Sequence, residues 1–217
     1  MNTNKLTIMA ATAVLASLLS FGGGRAMASP STLVVDDDHG QCPSAAYTTI
    51  QSAITAASPG DTIQVCAGTY VENITIDKPL TLQGSGQGSS LIVPAVSNPD
   101  CPGGGSLCGG TASNIILVQA NNVTIYGFTL NGDNPALTSG IVVGGADLDA
   151  RNGIITNHTT GLYQNLTVYD TTVQNIFLRG IYASSGGSFN FHDNTVRNVQ
   201  ASGASIAMFN YGGSGIM

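Results

Sequence analysis

Thr48 to Gly84 reads TTIQSAITAASPGDTIQVCAGTYVENITIDKPLTLQG. Thr48 and Gln51 have capping-box spacing. Ile50, Ala53, Ile54 and Ala57 fall at i, i+3, i+4 and i+7, one apolar stripe of a short helix that Pro59-Gly60 ends. Strand-length fragments follow at once. Thr62 to Cys66 alternates, Val71 to Ile76 contains Ile74-Thr75-Ile76, and Leu80-Thr81-Leu82 alternates after Pro79. Ala67-Gly68-Thr69 and Asp77-Lys78-Pro79 read as the turns between them. A stripe this narrow needs a surface to lie on. The open end of a β-solenoid offers one, and a helix laid over it hides unpaired strand edges. Strands this short, with no long helices between them, exclude a doubly wound sheet and leave a sandwich or a solenoid.

Working outward, the repeats favour the solenoid. Phe128 to Gly132, Val168 to Val173 and Phe191 to Val196 read as versions of one element. A second element is Gly followed by an apolar strand: Gly140-Ile141-Val142-Val143, Gly161-Leu162-Tyr163, Gly180-Ile181-Tyr182, then Ser205-Ile206-Ala207. Val173 to Val196 is 23 positions and Ile181 to Ile206 is 25, enough for three short strands and three turns. Coils of that length stack in parallel at the ~4.8 Å strand spacing. Asn131, Asn175, Asn194 and Asn198 lie at or near turns, where Asn tolerates left-handed backbone and forms side-chain ladders. Pro94 to Ser113 breaks the pattern and reads as a loop ejected from a coil and stapled at its neck.

The first 28 residues read as a signal peptide: Lys5, an apolar run from Leu6 to Phe21, and Ala26-Met27-Ala28, with cleavage between Ala28 and Ser29. The apolar run is short of the roughly 20 residues that span a bilayer. Residues 29–46 are then an N-terminal segment and 47–217 the β-helix. The chain is expected to be secreted, extracellular or at the cell surface, without stable membrane insertion. Ser214-Gly215-Ile216-Met217 resembles the start of another strand, so further coils are expected beyond it. Without residues 1–28 the chain keeps four basic residues against twelve acidic ones, a formal charge of −8. No basic patch remains, which excludes nucleic acid as a partner. The four cysteines lie in the exported part. Three pairings are possible, and locality selects Cys42–Cys66 and Cys101–Cys108.

The residues Tyr47 to Ile54, Gly60 to Val65, Ala67 to Tyr70 and Lys78 to Leu82 together resemble the opening of right-handed parallel β-helix proteins of the pectin lyase-like superfamily. The resemblance covers roughly residues 33–217 and implies an all-β solenoid with a short N-terminal capping α-helix. It implies no single activity, because this fold hosts lyases, hydrolases, esterases, adhesins and non-enzymes. Catalytic stretches of those enzymes do not recur. Tyr163-Gln164-Asn165-Leu166 and Asn175-Ile176-Phe177-Leu178 lack the aspartates of pectinesterases, and the chain has no Trp.

Candidate chemistry is sparse. Asp147 and Asp149, two apart on an expected strand, point the same way and could hold Ca²⁺, with Arg151 beside them; no other cofactor is implied. Arg179 abuts a strand face and could meet a sugar carboxylate. Asp170, His192 and Asp193 recur at related coil positions, a pair of carboxylates suited to acid–base hydrolysis. Asp36-Asp37-Asp38-His39 reads as a solvated acidic segment rather than a cation site. Tyr163, Tyr169, Tyr182, Phe189 and Tyr211 supply aromatics for stacking on sugars or on one another. Asn73, Asn122, Asn157 and Asn165 stand in glycosylation sequons. The expected partner is a polysaccharide or cell-surface glycan met by a monomer. The leading expectation is a pectate lyase-like or glycoside hydrolase-like protein; the alternative is a non-catalytic, adhesin-like repeat module. An enzyme should gather Asp, Arg and His in one groove, and a structural module should scatter them among turns.

Overall fold

The computed structural model of the chain describes residues 29–102, 104–183, 186–200 and 205–217; the expected signal peptide lies outside them. After β1 (Thr32–Val35) and α1 (Ile50–Ala56), the chain winds in coils. The first holds β2 (Thr62–Val65), β3 (Gly68–Val71) and β4 (Ile74–Ile76); the second holds β5 (Leu80–Gly84), β6 (Ser90–Val93) and β7 (Asn114–Val118). The third holds β8 (Val123–Tyr126), β9 (Thr129–Asn131), an inserted hairpin of β10 (Val142–Val143) and β11 (Ala146–Asp147), and β12 (Ala150–Thr156). The fourth is β13 (Leu166–Tyr169) and the long β14 (Thr172–Ala183). The fifth is β15 (Ser188–His192), β16 (Thr195–Val199) and β17 (Ile206–Asn210), and β18 (Ser214–Ile216) follows.

Three faces result. Face A is a parallel sheet in the order β1-β2-β5-β8-β13-β15-β18. Face B stacks β3, β6, β9, the first part of β14 and β16; face C stacks β4, β7, β12, the rest of β14 and β17. β14 belongs to both because it turns the corner at Asn175, φ 58°. Among the described residues β10–β11 is the antiparallel pair. The fold is a parallel β-helix, and the sandwich is excluded.

Inward side chains stack on their counterparts one coil away. Ile63, Leu82, Ile125, Val168 and Phe191 form one row on face A. Tyr70, Ile92, Leu130, Val173 and Val196 form another on face B, and Ile74, Ile116, Ile154, Ile181 and Met208 a third on face C. They belong to one continuous core. Each fully buried Ile or Leu contributes about 1.5–3 kcal/mol by leaving water.

The helix caps this core, as its stripe requires: Ile50, Ala53 and Ile54 are fully buried. Its N-cap is Thr49, whose hydroxyl accepts from Ser52 N at 3.3 Å, one residue beyond the expected Thr48. Gln51 does not close a capping box; its side-chain amide is paired with the backbone of Thr75 on β4. The first-turn amides of Ile50 and Gln51 donate instead to the Glu72 carboxylate at 2.7 and 2.8 Å. Lys78 Nζ donates to the last-turn carbonyls, Ile54 O at 2.9 Å. An anion at the N-terminus and a cation at the C-terminus both suit the helix dipole, so the cap is clamped from the coil below.

Several sequence expectations are corrected. The segment 29–46 is not outside the β-helix, because Thr32–Val35 pairs in parallel with β2 as the first rung. Gly68–Val71 is a strand, not a turn. The first repeated element holds: Thr129, Thr172 and Thr195 are in register, as are Leu130, Val173 and Val196. The second was misassigned. Gly140-Ile141 lies in the hairpin excursion and Gly161-Leu162 in a loop. The residues aligned with Ile181 are Ile154 and Met208, not Ile206. The glycines that matter are Gly153 and Gly180, where a Cβ would sit 2.5 Å from Gly180 O and 2.3 Å from Ala207 O. Both expected disulfides form, with Cα–Cα distances of 6.3 Å for Cys42–Cys66 and 6.0 Å for Cys101–Cys108. The neck of the ejected loop is closed by Asn98 Nδ2 on Thr111 O at 2.7 Å, and the second disulfide lies further along it.

The corner between faces B and C is held by an asparagine ladder. Asn175 Nδ2 donates to Asn131 Oδ1 at 2.7 Å, and Asn198 Nδ2 to Asn175 Oδ1 at 2.6 Å. Asn194 stands apart, donating to Val168 O at 2.8 Å. Asn175→Gly should keep the left-handed corner and lose the two ladder bonds, costing about 1–2 kcal/mol. Asn175→Ala should cost a further 1–2 kcal/mol or so, because a Cβ without the amide disfavours that backbone. Urea unfolding of the three proteins checks this; equal stability of the two variants would remove the backbone argument.

Candidate functional site

The outer side of face A carries two rows of side chains in register. One is Thr62, Thr81, Thr124, Thr167 and Asn190; the other is Gln64, Gln83, Tyr126, Tyr169 and His192. They face outward because strand period two sends their neighbours, such as Ile125 and Val168, into the core. Tyr126 and Tyr169 stack at 4.6 Å with 10° between planes, and Tyr169 and His192 at 4.9 Å with 6°. The rings cover one another's faces, so the row presents hydroxyl, amide and imidazole edges rather than flat rings. Burial, and then Tyr169 beside it, push the Tyr126 phenol up.

Asp170 and Asp193 follow Tyr169 and His192 at the corner between faces A and B, in left-handed backbone with φ of 46° and 54°. The Asp170 carboxylate accepts from Gln87 Nε2 at 2.6 Å. Asp193 meets His192 Nδ1 at 2.9 Å. Asp170, His192 and Asp193 therefore lie on neighbouring rungs of one edge. Arg179 is not with them. It lies in the face C part of β14, its guanidinium 5.6 Å from the Tyr182 ring centroid and 5.7 Å from that of Phe209. Arg and the carboxylates occupy different faces because β14 has turned the corner before Arg179.

Arg151 has a structural task. It is 5% exposed and donates to Pro99 O through Nη1 and to Gly105 O through Nε and Nη2 at 3.1 and 2.8 Å. With Asn152 on Ser106 O at 2.7 Å, it binds the 94–113 loop over the outer side of face C. There Leu107 packs on Ile155 and Tyr182. The second excursion, 132–149, packs beside it: Ala146 and Leu148 lie against Phe177 and Leu178. Those two bulge outward because β14 takes three steps from Ile176 to Arg179 where β12 takes two from Ala150 to Asn152.

The calcium expectation assumed that Asp147 and Asp149 share a strand. Asp147 ends β11, and Asp149 lies between β11 and β12. Asp147 accepts from Ser139 N at 3.1 Å, from the Ser139 hydroxyl and from Gly140 N at 3.4 Å. Asp149 is buried, one oxygen accepting from Asn134 N at 3.0 Å and the other without a hydrogen-bond partner. Burial and then the charges of Asp149 and Asp147 push the nearby Asp133 carboxyl up. Among the described residues the acids whose oxygens all approach within 4.8 Å are Asp36, Asp37 and Asp38. Their segment is not simply solvated: Asp36 is fully buried and accepts from Gln41 N and Cys42 N, Asp37 from Thr69 N and Asp38 from Gly40 N.

The remaining expectations divide. Tyr182 stacks on Phe209 at 5.2 Å, and Phe189 lies against Phe191 in the interior. Tyr163 meets the Thr160 hydroxyl at 2.7 Å, and Tyr211 is exposed. The sequon asparagines use their amides internally: Asn165 Nδ2 donates to Asn122 Oδ1 at 2.8 Å and Asn73 Nδ2 to Asn114 O at 2.7 Å, while Asn157 Oδ1 accepts from Thr159 N at 3.1 Å. The Asn122–Asn165 rung is a second ladder. Sequence reading missed Tyr126 and the glutamines; alignment of Thr-Val-Tyr at 167–169 with Thr-Ile-Tyr at 124–126, and of both with Thr-Ile-Gln at 62–64 and Thr-Leu-Gln at 81–83, would have found them. No helix among the described residues is long and apolar enough to cross a membrane.

Residues 35–215 match a family model described as protein of unknown function DUF1565. A cell surface glycoprotein of Methanothermus fervidus is 33% identical over 136 residues, 62% of this chain and 17% of that protein. A mutant pectin methylesterase solved with a hexasaccharide superposes with a TM-score of 0.52 at 14% identity, over 87% of this chain and 61% of the other. The pectin methylesterase of Erwinia chrysanthemi gives 0.49 at 18% identity, over 76% and 54%. The chain thus spans less than two thirds of each of these proteins. The first superposition shows the fold, a right-handed parallel β-helix.

Two outcomes follow for the loops. Arg151→Lys should loosen the 94–113 loop, because one ammonium cannot replace the planar fork on two carbonyls; faster limited proteolysis within 99–107 checks it. The Asp147 carboxyl is held below the usual carboxylate range chiefly by the Ser139 hydroxyl. A depressed carboxyl stabilises fully above its unfolded pKa, and the effect is lost as pH falls through the folded value. Amide protection at Ser139 and Gly140 should persist down to about pH 4 and fall below it. Asp147→Asn should abolish that acid step in hydrogen exchange.

Proposed function

The chain belongs to the family described as protein of unknown function DUF1565, and from that premise we propose that it is an exported, non-catalytic β-helix whose face A lies against a cell-surface polysaccharide. The observation that carries the reading is the row Gln64, Gln83, Tyr126, Tyr169 and His192. It sets one hydrogen-bonding edge per rung along five rungs, a periodic surface for a periodic polymer. The long excursions bind face C and leave this row accessible. The disulfides and the cell surface glycoprotein among the relatives support an extracellular setting. The pectin methylesterase likeness supports a polysaccharide as ligand class.

The non-catalytic reading is supported by the placement of Arg179 on a different face from Asp170 and Asp193, and by the side-chain contacts of these carboxylates with Gln87 and His192. It requires no cofactor, and calcium is not part of it.

Retention of the full chain in gels containing soluble cell-surface or plant polysaccharides tests the reading. Tyr169→Ala should lower the best affinity about tenfold, the loss of one good contact at ~1.4 kcal/mol. Tyr169→Phe, which keeps the stack, should lose less. Thr69→Ala on face B should bind as the parent does. Undiminished binding by Tyr169→Ala would overturn the assignment of face A.

A further inference from the structure

The charges around face A restrict its ligand. Three of the four basic residues left after residues 1–28 are committed to other places. Lys78 Nζ serves the carbonyls of Ile54, Thr55 and Ala57. Arg151 lies buried under the 94–113 loop, and Arg197 on face B donates to Gln174 Oε1 at 2.8 and 2.5 Å. The fourth, Arg179, is on face C, across the corner marked by Asn175. Face A therefore has no lysine or arginine among the described residues.

Its edge carries the opposite sign. Asp170 and Asp193 follow the row's last two members on adjacent rungs, about 4.8 Å apart along the stack. The nearest group that could gain positive charge is His192, already paired with Asp193 at 2.9 Å. Protonated, it makes a neutral pair and leaves Asp170 uncompensated. The groups offered outward are amide, phenol, hydroxyl and imidazole, which exchange hydrogen bonds with sugar hydroxyls. A carboxylate on each sugar would meet these aspartates without a cation to pair with, and like charges brought together oppose binding.

We propose that face A accepts an uncharged, hydroxyl-rich glycan and rejects polyuronates. The selection rests on the reading of face A as the contact surface, and it departs from the sugar carboxylate that the sequence suggested for Arg179.

The test uses matched polymers that share a backbone and differ in charge: methyl-esterified against free polygalacturonate, and hydroxyethylcellulose against carboxymethylcellulose. Retardation of the full chain is measured in gels containing each. At about 10 mM salt the neutral member of a pair should bind at least tenfold more tightly. The gap should narrow towards 1 M salt, where the Debye length falls from about 30 Å to about 3 Å. Asp170→Asn with Asp193→Asn keeps side chains that tolerate left-handed backbone, and should raise the polyanion-to-neutral affinity ratio at least fivefold. Equal or tighter binding of the anionic members, lost in Tyr169→Ala, would overturn the charge selection and leave face A standing. Binding to none of the four polymers, or binding that Tyr169→Ala leaves unchanged, would overturn face A and the selection with it.

Discussion

Apart from the β10–β11 hairpin, every described strand is hydrogen-bonded in parallel to its counterpart on a neighbouring coil. That constraint sets the rest. A side chain's principal neighbour is its counterpart on the next rung, so a row is tolerable only if its members are compatible with one another. Aliphatic rows satisfy this inside, where Ile74, Ile116, Ile154 and Ile181 repeat the same residue. Amides satisfy it at corners, because an amide is both donor and acceptor and can pass one bond along the stack. Where the backbone turns inward there is room for no side chain, and Gly153 and Gly180 fill the position on consecutive rungs.

Much of this was legible where the pattern is local. The helix stripe, the Cys101–Cys108 pair and each copy of the threonine-valine element lie within short stretches of chain. The Gly-Ile element misled because Gly140-Ile141 and Gly161-Leu162 carry the same local signature as Gly180-Ile181 without the coil around them. The outer row was hidden for a different reason. Tyr126 and Tyr169 are 43 positions apart, whereas Tyr169 and His192 are 23 apart, because coil three carries the hairpin excursion and coil four does not. A row that is straight in space has no constant period in the chain. Sequence spacing likewise could not tell which face carries Arg179, since only the register shows that β14 has changed face before reaching it.

The excursions give the three faces different characters. Both loops leave the coil between faces B and C and fold onto face C, where Arg151 and the Leu107, Ile155 and Tyr182 cluster hold the first of them. Face C thereby becomes a second, smaller interior. Face A keeps the plain geometry of the solenoid, and its outer residues are left to solvent. The polar surface of this protein is thus defined as much by where its loops go as by the strands that build it.

The Cys42–Cys66 bond spans 24 positions and encloses the capping helix and β2 within a covalent ring. Tension on the polypeptide ahead of Cys42 passes through the sulfurs to Cys66 and bypasses everything between. Pulling can strip the four residues of β1, but it cannot draw out the lid behind them. A load applied ahead of Cys42 would reach the solenoid at Cys66, just before β3, without passing through the cap.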